Sequence, residues 1–136
     1  MKKSIWLLST LLILSLVLSA CGQTAATEPT EVNCRAEASY ETVGSYQVPA
    51  PIEGCFNVAF VYVGPHDDGG WSQSHDVGRQ YVEQTLEGVH TAYVENVAEG
   101  ADAEQVTRSL ARKGFDVIFT TSFGFMDASE IVASEC

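Results

Sequence analysis

A stretch of twelve residues, 64–75 (GPHDDGGWSQSH), concentrates side chains that can do chemistry. It contains the adjacent carboxylates Asp67 and Asp68, two histidines, three glycines and Trp71. Most turns are built from small polar residues, so a large aromatic ring beside two acids needs a specific explanation. Four kinds of site use such residues: a metal site, a phosphate-binding loop, a catalytic loop, and a pocket for a flat, hydroxylated ligand.

The first three kinds of site lack the residue spacing that they require. His66, Asp68 and His75 match no established spacing of zinc ligands. A phosphate-binding loop needs Gly-x-Gly-x-x-Gly, or Lys-Ser/Thr after the glycines, and two aspartates would repel phosphate. Nucleophilic catalysis needs a motif such as Gly-x-Ser-x-Gly, or a cysteine next to a histidine. A pair of catalytic carboxylates stays open as the enzymatic alternative, but the residues favour a binding protein that is not an enzyme and uses no metal or cofactor.

The residues around this stretch alternate between strand and helix patterns. Residues 57–63 (NVAFVYV) form a continuous apolar run, which predicts a strand buried on both faces. The other predicted elements are strands at 91–97 and 116–121 and helices at 72–86, at 102–113 and from 128. This β-α-β-α-β-α order with short connections predicts an α/β fold with a three-layer parallel sheet and right-handed crossovers.

Two of the predicted helices carry further signals. The first has four apolar residues on one side, which we expect to face the sheet: Val77, Tyr81, Val82 and Leu86. In the second, Asp102 is the expected N-cap, with Gln105 as its capping-box partner. Gly114 is the expected C-terminal stop of that helix.

The predicted topology brings two loops together. Ligands of open parallel sheets bind at the carboxyl ends of the strands, where the strand order reverses. In a flavodoxin-like order 2-1-3, residues 64–71 then face residues 122–127 across one crevice. The crevice would offer aromatic and acidic side chains: Asp67, Asp68, Trp71, Phe123, Phe125 and Asp127. Rings stack on a heterocycle and carboxylates accept hydrogen bonds from hydroxyls, which suits a base attached to a sugar. The alternatives are a core position for Trp71, turn or N-cap roles for the acids after the first strand, and a packing role for Phe123 and Phe125.

The amino terminus has the pattern of a secretory signal, residues 1–20. Two lysines precede an apolar run over residues 5–17 that is too short and wrongly flanked for a membrane span. Residues 18–21, Leu-Ser-Ala-Cys, resemble a bacterial lipobox, which implies cleavage before Cys21 and its acylation. An ordinary signal peptide with a chance cysteine is the alternative. Residues 21–33 then predict a lipidated cysteine and a flexible tether, so we expect a protein anchored by lipid on the extracytoplasmic face of the cell membrane.

Charge and cysteine content narrow the function further. The formal net charge is −11, and it becomes −13 once the predicted signal peptide and its two lysines are removed. Since nucleic-acid binding needs a basic surface, we exclude it.

Cys34 and Cys55 bracket a segment predicted to be irregular, residues 34–56, and in an oxidising compartment we expect them to form a disulfide. Two free thiols are the alternative, and Cys136 is left over.

Three motifs occur in order over residues 55–135: HDDGGWSQSHDVG, ENVAEGADAEQV and FGFMDAS. Together they resemble the basic membrane lipoprotein family, the PnrA-like substrate-binding proteins of ABC transporters. The resemblance implies a type I periplasmic-binding-protein-like fold, in which two lobes close on a ligand that then passes to a permease driven by an ATPase. Because family members are much longer, residues 57–136 are expected to be the incomplete first lobe of the substrate-binding domain.

The resemblance also implies roles for single residues. Asp67 and Asp68 match a pair of acids in the family, Trp71 matches the aromatic residue that stacks on the base, and Asp127 matches the acid after the third strand. Ser72 stands where asparagine is common, and a hydroxyl cannot reproduce the two-point contact of an amide. The implied function is the capture of a nucleoside-like solute for import, and a purine nucleoside is the ligand expected within this class. The alternatives are a ligand-sensing lipoprotein without transport and a metal-dependent hydrolase.

Overall fold

The computed structural model describes residues 31–136. The predicted signal peptide, the lipidation of Cys21 and most of the predicted tether lie outside the described residues. Within residues 31–136, no helix is long and apolar enough to cross a membrane.

Residues 40–49 form a β-hairpin, which differs from the irregular structure predicted for residues 34–56. Strands β1 (Tyr40–Val43) and β2 (Tyr46–Pro49) pair antiparallel across the two-residue turn Gly44-Ser45. Such a connection between two runs of strand-forming residues is a hairpin signal. Gly44 has a φ of +61°, which glycine adopts without steric strain. The sequence therefore contained the signal, in the turn rather than in the strands.

The segment that carries the hairpin is closed by a disulfide between Cys34 and Cys55. The side chain of Asn57 fixes the end of this segment: it accepts a hydrogen bond from Ile52 N at 2.7 Å and donates to Cys55 O at 2.8 Å. Val48 is completely buried in the same core as the central sheet. The hairpin is thus an integral part of the described fold.

Three parallel strands form the centre of the fold: β3 (Phe56–Val61), β4 (Val89–Val94) and β5 (Val117–Thr120). Their order in the sheet is β4-β3-β5, which is the order 2-1-3 predicted for the three main strands. The α/β fold with a parallel sheet is confirmed. Because β3 is central, the connections that follow β3 and β5 leave the same edge of the sheet side by side.

Three helices connect or follow these strands: α1 (Trp71–Thr85), α2 (Ala101–Lys113) and α3 (Met126–Ala133), the last preceded by the 3-10 turn Phe123–Phe125. One face of the sheet packs on α2, α3 and the hairpin, and the other packs on α1. The first face contributes to a core whose largest completely buried apolar members are Val48, Val61, Val97, Val106, Leu110 and Phe125. The second face buries Val58, Phe60 and Tyr62. The arrangement is the predicted three-layer sandwich.

The start of α2 differs from the prediction and its end agrees. Gly100 occupies the N-cap position of α2 without a side-chain hydrogen bond, so the predicted N-cap role of Asp102 is wrong. The carboxylate of Asp102 instead accepts a hydrogen bond from the hydroxyl of Tyr46 at 2.8 Å. That partner lies on the hairpin, far away in sequence. At the other end, Gly114 adopts the predicted left-handed conformation with a φ of +95°.

The face that α1 turns to the sheet is polar, contrary to the prediction. Its buried residues are Ser72, Asp76 and Arg79. Three of the four residues predicted to face the sheet are exposed: Val77, Tyr81 and Leu86. Asp76 Oδ1 accepts hydrogen bonds from Arg79 Nε at 2.6 Å and from the Tyr62 hydroxyl at 3.2 Å. A paired acid and base therefore occupy the inner face, which apolar periodicity does not detect.

Candidate ligand-binding site

Trp71 joins the loops that follow β3 and β5. Its indole Nε1–H donates to the carbonyl oxygen of Thr121 at 2.5 Å. Thr121 follows β5 directly, and its hydroxyl donates to the carbonyl of Val61, the last residue of β3, at 2.9 Å. The edge of the indole is thus held at the ends of both strands, while 61% of the residue stays exposed. A ring fixed by its edge can offer an aromatic face to a ligand.

Asp68 caps helix α1. Its Oδ1 accepts hydrogen bonds from Gly70 N at 2.8 Å and Gln73 N at 3.0 Å, and its Oδ2 accepts one from Ser72 N at 3.0 Å. These bonds hold the pKa of the Asp68 carboxyl below its ordinary value, and the bond from Gln73 contributes most. They do so because they stabilise the charged form. Gly70, which occupies the N-cap position, has no side chain for this task.

Ser72 lies beneath the loop rather than on its surface. It is completely buried, and its Oγ has no hydrogen-bond partner within residues 31–136. A Cβ at Gly64 would lie 3.3 Å from that oxygen, so the loop packs directly over the hydroxyl. In this conformation the hydroxyl of Ser72 is shielded from the crevice.

The loop after β5 supplies the other wall of the crevice. Phe123 is 87% exposed, whereas Phe125, two residues later, is completely buried in the core. Asp127 lies exposed in the first turn of α3. The two phenylalanines of this loop therefore have different roles: Phe125 anchors the loop, and Phe123 remains available for contact.

His66 fixes the turn that carries Asp67. Both the backbone N and the Nδ1 of His66 lie 2.8 Å from Glu95 Oε2. The hydrogen bond to Glu95 raises the pKa of His66 above its ordinary value. Asp67 is exposed beside this contact. The turn is thus tied to the loop after β4, and Asp67 remains accessible.

Sequence reasoning missed three residues that hold these loops: Glu95, Glu99 and Thr121. Glu99 Oε1 accepts a hydrogen bond from the Ser122 hydroxyl at 2.6 Å. The predicted topology could have revealed these residues, because every loop after a parallel strand leaves the same edge of the sheet. The motif ENVAEG, residues 95–100, follows β4 and is therefore a neighbour of both crevice loops.

Within residues 31–136, no group of three or more histidine, cysteine or acidic side chains is arranged to hold a metal ion. His66 is engaged with Glu95, and His75 Nδ1 lies 2.8 Å from the carbonyl oxygen of Trp71. The two histidines of residues 64–75 thus contact their own surroundings: His66 holds the turn after β3, and His75 contacts the first turn of α1.

Three cavities among the described residues lie away from the two loops, and one of them, of about 360 Å³, lies beside Arg108 and Arg112 of α2. One of about 390 Å³ borders Cys34, Arg35 and the start of β4, at the amino ends of the strands. Another of about 510 Å³ lies between the hairpin and the carboxyl half of β4. None of the three is lined by Trp71, Phe123 or Asp127. The candidate site is therefore argued from the topology, at the carboxyl ends of β3 and β5 where the strand order reverses.

The parallel sheet β4-β3-β5 with helices on both faces is the fold expected of the first lobe of a solute-binding protein. Residues 55–136 match a family model described as Bmp, ABC transporter substrate-binding protein PnrA-like. The chain belongs to this family. The match begins at Cys55, so the hairpin precedes it.

Relatives and a solved structure are consistent with this membership. A purine-binding protein of Brucella abortus (strain 2308) is 46% identical over 87 residues, which are 63% of this chain and 25% of the relative. A Haloferax volcanii protein, provisionally named as an ABC transporter glucose-binding protein, is 41% identical over 86 residues, which are 62% of this chain and 22% of the relative. The chain thus spans about a quarter of the length of these relatives. An ABC transporter solute-binding protein from Conexibacter woesei shares the fold, with a TM-score of 0.55 and 22% identity over 60% of this chain and 26% of that one.

Proposed function

We propose that this protein captures a nucleoside-like solute, in the first place a purine nucleoside, and delivers it to the permease and ATPase subunits of an ABC importer. It does so outside the cytoplasmic membrane, anchored by lipid on Cys21. The ligand is bound and released unchanged. The proposal depends above all on Trp71, an exposed indole that is hydrogen-bonded to Thr121 at the carboxyl edge of the sheet.

The roles of the acids follow from which of their oxygens are engaged. Asp68 already accepts three backbone hydrogen bonds, so its main task is to shape the start of α1 and thereby to place Trp71. Asp67 and Asp127 are exposed and have oxygens available for ligand hydroxyls or ring N–H groups. We therefore assign the polar contacts first to Asp127, then to Asp67, with Asp68 at most sharing one lone pair.

The charge of the crevice loops favours an uncharged ligand. The connections after β3, β4 and β5 contain no lysine or arginine. They contain four acids, Asp67, Asp68, Glu95 and Glu99, and a fifth, Asp127, follows in the first turn of α3. A phosphate group would be repelled here, so a nucleoside is expected to bind in preference to its nucleotide. The relative named for purine binding supports the base. The relative named for glucose binding makes glucose the first competing ligand to measure.

Two substitutions of Trp71 test the proposal in the full-length mature protein. Trp71→Ala removes the ring, and it weakens nucleoside binding by about 1–3 kcal/mol if the indole stacks on a base. Trp71→Phe keeps an aromatic face but loses the hydrogen bond to Thr121, so it retains more of the affinity. Isothermal titration calorimetry with adenosine, guanosine and inosine measures both effects. Tyr81→Ala removes another exposed aromatic ring of α1 and serves as the matched control, with unchanged affinity.

The outcomes separate the competing functions. Undiminished affinity in Trp71→Ala removes the indole from the site. Recovery of the ligand as free base and sugar, abolished by a chelator, identifies a metal-dependent hydrolase instead. Nucleoside binding without any loss of nucleoside uptake in a deletion strain identifies a sensor.

A further inference from the structure

The carboxylate of Glu99 lies against the loop that carries Phe123, although the two residues belong to different connections of the sheet. Glu99 Oε1 accepts a hydrogen bond from the Ser122 hydroxyl at 2.6 Å, and Ser122 Oγ accepts one from Gly124 N at 3.3 Å. The carboxylate comes so close to Gly124 that a Cβ there would lie 2.0 Å from Glu99 Cδ. This chain of contacts fixes the residues on both sides of Phe123.

Glu99 is itself held on a fixed backbone. Val97 is completely buried in the core. The next residue, Ala98, donates its N–H to the hydroxyl of Tyr46 at 3.2 Å, and that hydroxyl donates to Asp102 at 2.8 Å. The hairpin therefore supports the loop after β4, and that loop supports the loop after β5.

Phe123 depends on such support because it has little of its own. With 87% of the residue exposed, its ring is not fixed by packing, and its position follows from the backbone beneath it. A binding wall made by an exposed ring is effective only when its backbone is held before the ligand arrives, since ordering a loop on binding reduces affinity.

We propose that Glu99 is a positioning residue of the ligand crevice. Through Ser122 and Gly124 it holds the loop in the conformation that presents Phe123 to the ligand, and it does not touch the ligand itself. This inference rests on the proposed function, because it makes Phe123 part of the wall that contacts the base.

Three substitutions interrupt the contact between Glu99 and residues 122–124 at different points. Each is made in the full-length mature protein, which is then titrated with adenosine, guanosine and inosine. Glu99→Ala removes the carboxylate, Ser122→Ala removes the donor, and Gly124→Ala inserts a methyl group where the carboxylate lies. Each is expected to weaken nucleoside binding about fivefold to tenfold, a typical coupling between contacting residues. Glu87→Ala, at an exposed glutamate near the opposite edge of the sheet, is the control and leaves affinity unchanged.

A double-mutant cycle separates positioning from a merely additive effect. If Glu99 acts through Phe123, then the double variant Glu99→Ala/Phe123→Ala binds no more weakly than Phe123→Ala alone. Hydrogen exchange of the amides of residues 122–126 gives a second readout that needs no ligand. Exchange there is faster in Glu99→Ala than in the native protein, and it is unchanged in Glu87→Ala.

Two results overturn the inference while leaving the proposed function intact. The first is weaker binding in Glu99→Ala with full affinity in both Ser122→Ala and Gly124→Ala, which makes Glu99 a direct ligand contact. The second is additivity of Glu99→Ala and Phe123→Ala. If the native protein binds no nucleoside, the proposed function fails, and the exchange measurement alone decides whether Glu99 holds the loop: unchanged exchange refutes it.

Discussion

Asp76 is the buried acid of helix α1, the helix that begins with Trp71. The contribution of Asp76 to holding this helix can be measured as a change in the free energy of unfolding. Asp76 is 2% exposed and accepts hydrogen bonds from Arg79 Nε and Gln80 Nε2, both at 2.6 Å, and from the Tyr62 hydroxyl at 3.2 Å. Asp76→Ala removes all three at once and leaves the guanidinium of Arg79 without its buried partner. Because the Tyr62 contact joins α1 to the residue that follows β3, the substitution tests what holds the helix that begins with Trp71.

The expected loss follows from the contacts that remain. Removing one partner of a buried ion pair destabilises a protein by about 3–5 kcal/mol. Arg79 still donates to Glu83 at 2.9 Å and to Thr91 at 3.1 Å, so we expect the lower end, about 3 kcal/mol. Glu83→Ala is the matched control because it removes the other carboxylate of the same guanidinium. Glu83 is partly exposed, and its loss should be only about 0.5 kcal/mol.

Urea unfolding followed by circular dichroism measures both free energies of unfolding. A midpoint that shifts at constant slope reports a change in stability. The reasoning is refuted if Asp76→Ala loses less than about 1 kcal/mol, the typical worth of one ordinary hydrogen bond. It is also refuted if Asp76→Ala loses no more than Glu83→Ala, because burial would then contribute nothing to the strength of the pair.

The same carboxylate predicts a dependence on pH. Burial acts to raise the pKa of Asp76, but the hydrogen bonds from Arg79 and Gln80 outweigh it and hold the pKa below its ordinary value. A carboxyl group whose pKa is lower in the folded state stabilises the fold above its unfolded pKa, and that stability is lost as the pH falls through the folded value. Acid unfolding of the native protein should therefore include a component that is missing in Asp76→Asn.

Three further predictions concern the loops and the disulfide. Because Glu95 raises the pKa of His66, their pairing stabilises the fold fully below the unfolded pKa of about 6.5 and is lost as the pH rises through the higher folded value. Thermal midpoints measured against pH should show this change, and Glu95→Gln should abolish it. Replacing Cys34 and Cys55 together by serine opens a disulfide with a sequence separation of 21 and should lower the free energy of unfolding by about 3 kcal/mol in urea; an unchanged midpoint contradicts this. Asp68→Ala should lower the thermal midpoint more than Asp68→Asn, which keeps one acceptor oxygen for the start of α1, and equal midpoints would contradict the capping role.

Much of the fold was predictable because it depends on local patterns. The apolar run at residues 57–63, the regular alternation of strands and helices, and Gly114 at the end of α2 each act within a few residues of the chain. The parallel sheet follows from these elements and their short connections, and its strand order is that of flavodoxin-like folds. The family membership was predictable because three short motifs occur in the same order as in the family.

Long-range polar contacts were not predictable from the sequence alone. The sequence pattern predicted an N-cap role for Asp102, but Gly100 is the N-cap and the hydroxyl of Tyr46 reaches Asp102 from the hairpin. The inner face of α1 carries Asp76 and Arg79, whose burial is possible only because the sheet supplies Tyr62 and Thr91 as partners. A periodicity argument counts apolar residues and assigns such charges to the surface.

The juxtaposition of the two loops was predictable from the topology, whereas the contacts of the single residues in them were less so. The topology identified the two loops, and Trp71 and Phe123 lie exposed in them as expected for ligand contacts. Asp68 has the capping contacts that the sequence left open as an alternative, and Ser72 is shielded beneath the loop. Glu99 accepts a hydrogen bond from Ser122, a contact between two connections that no local pattern reveals.

The function that we propose for this protein is the binding of an uncharged purine nucleoside. The most direct measurement is isothermal titration calorimetry of the full-length mature protein with adenosine, guanosine, inosine, cytidine, the free purine bases, adenosine monophosphate and glucose. We expect a saturable one-to-one isotherm with at least one purine nucleoside, and much weaker binding of the monophosphate because the crevice loops carry acids and no basic residue. An isotherm with glucose alone, or no heat with any nucleoside, would contradict the account.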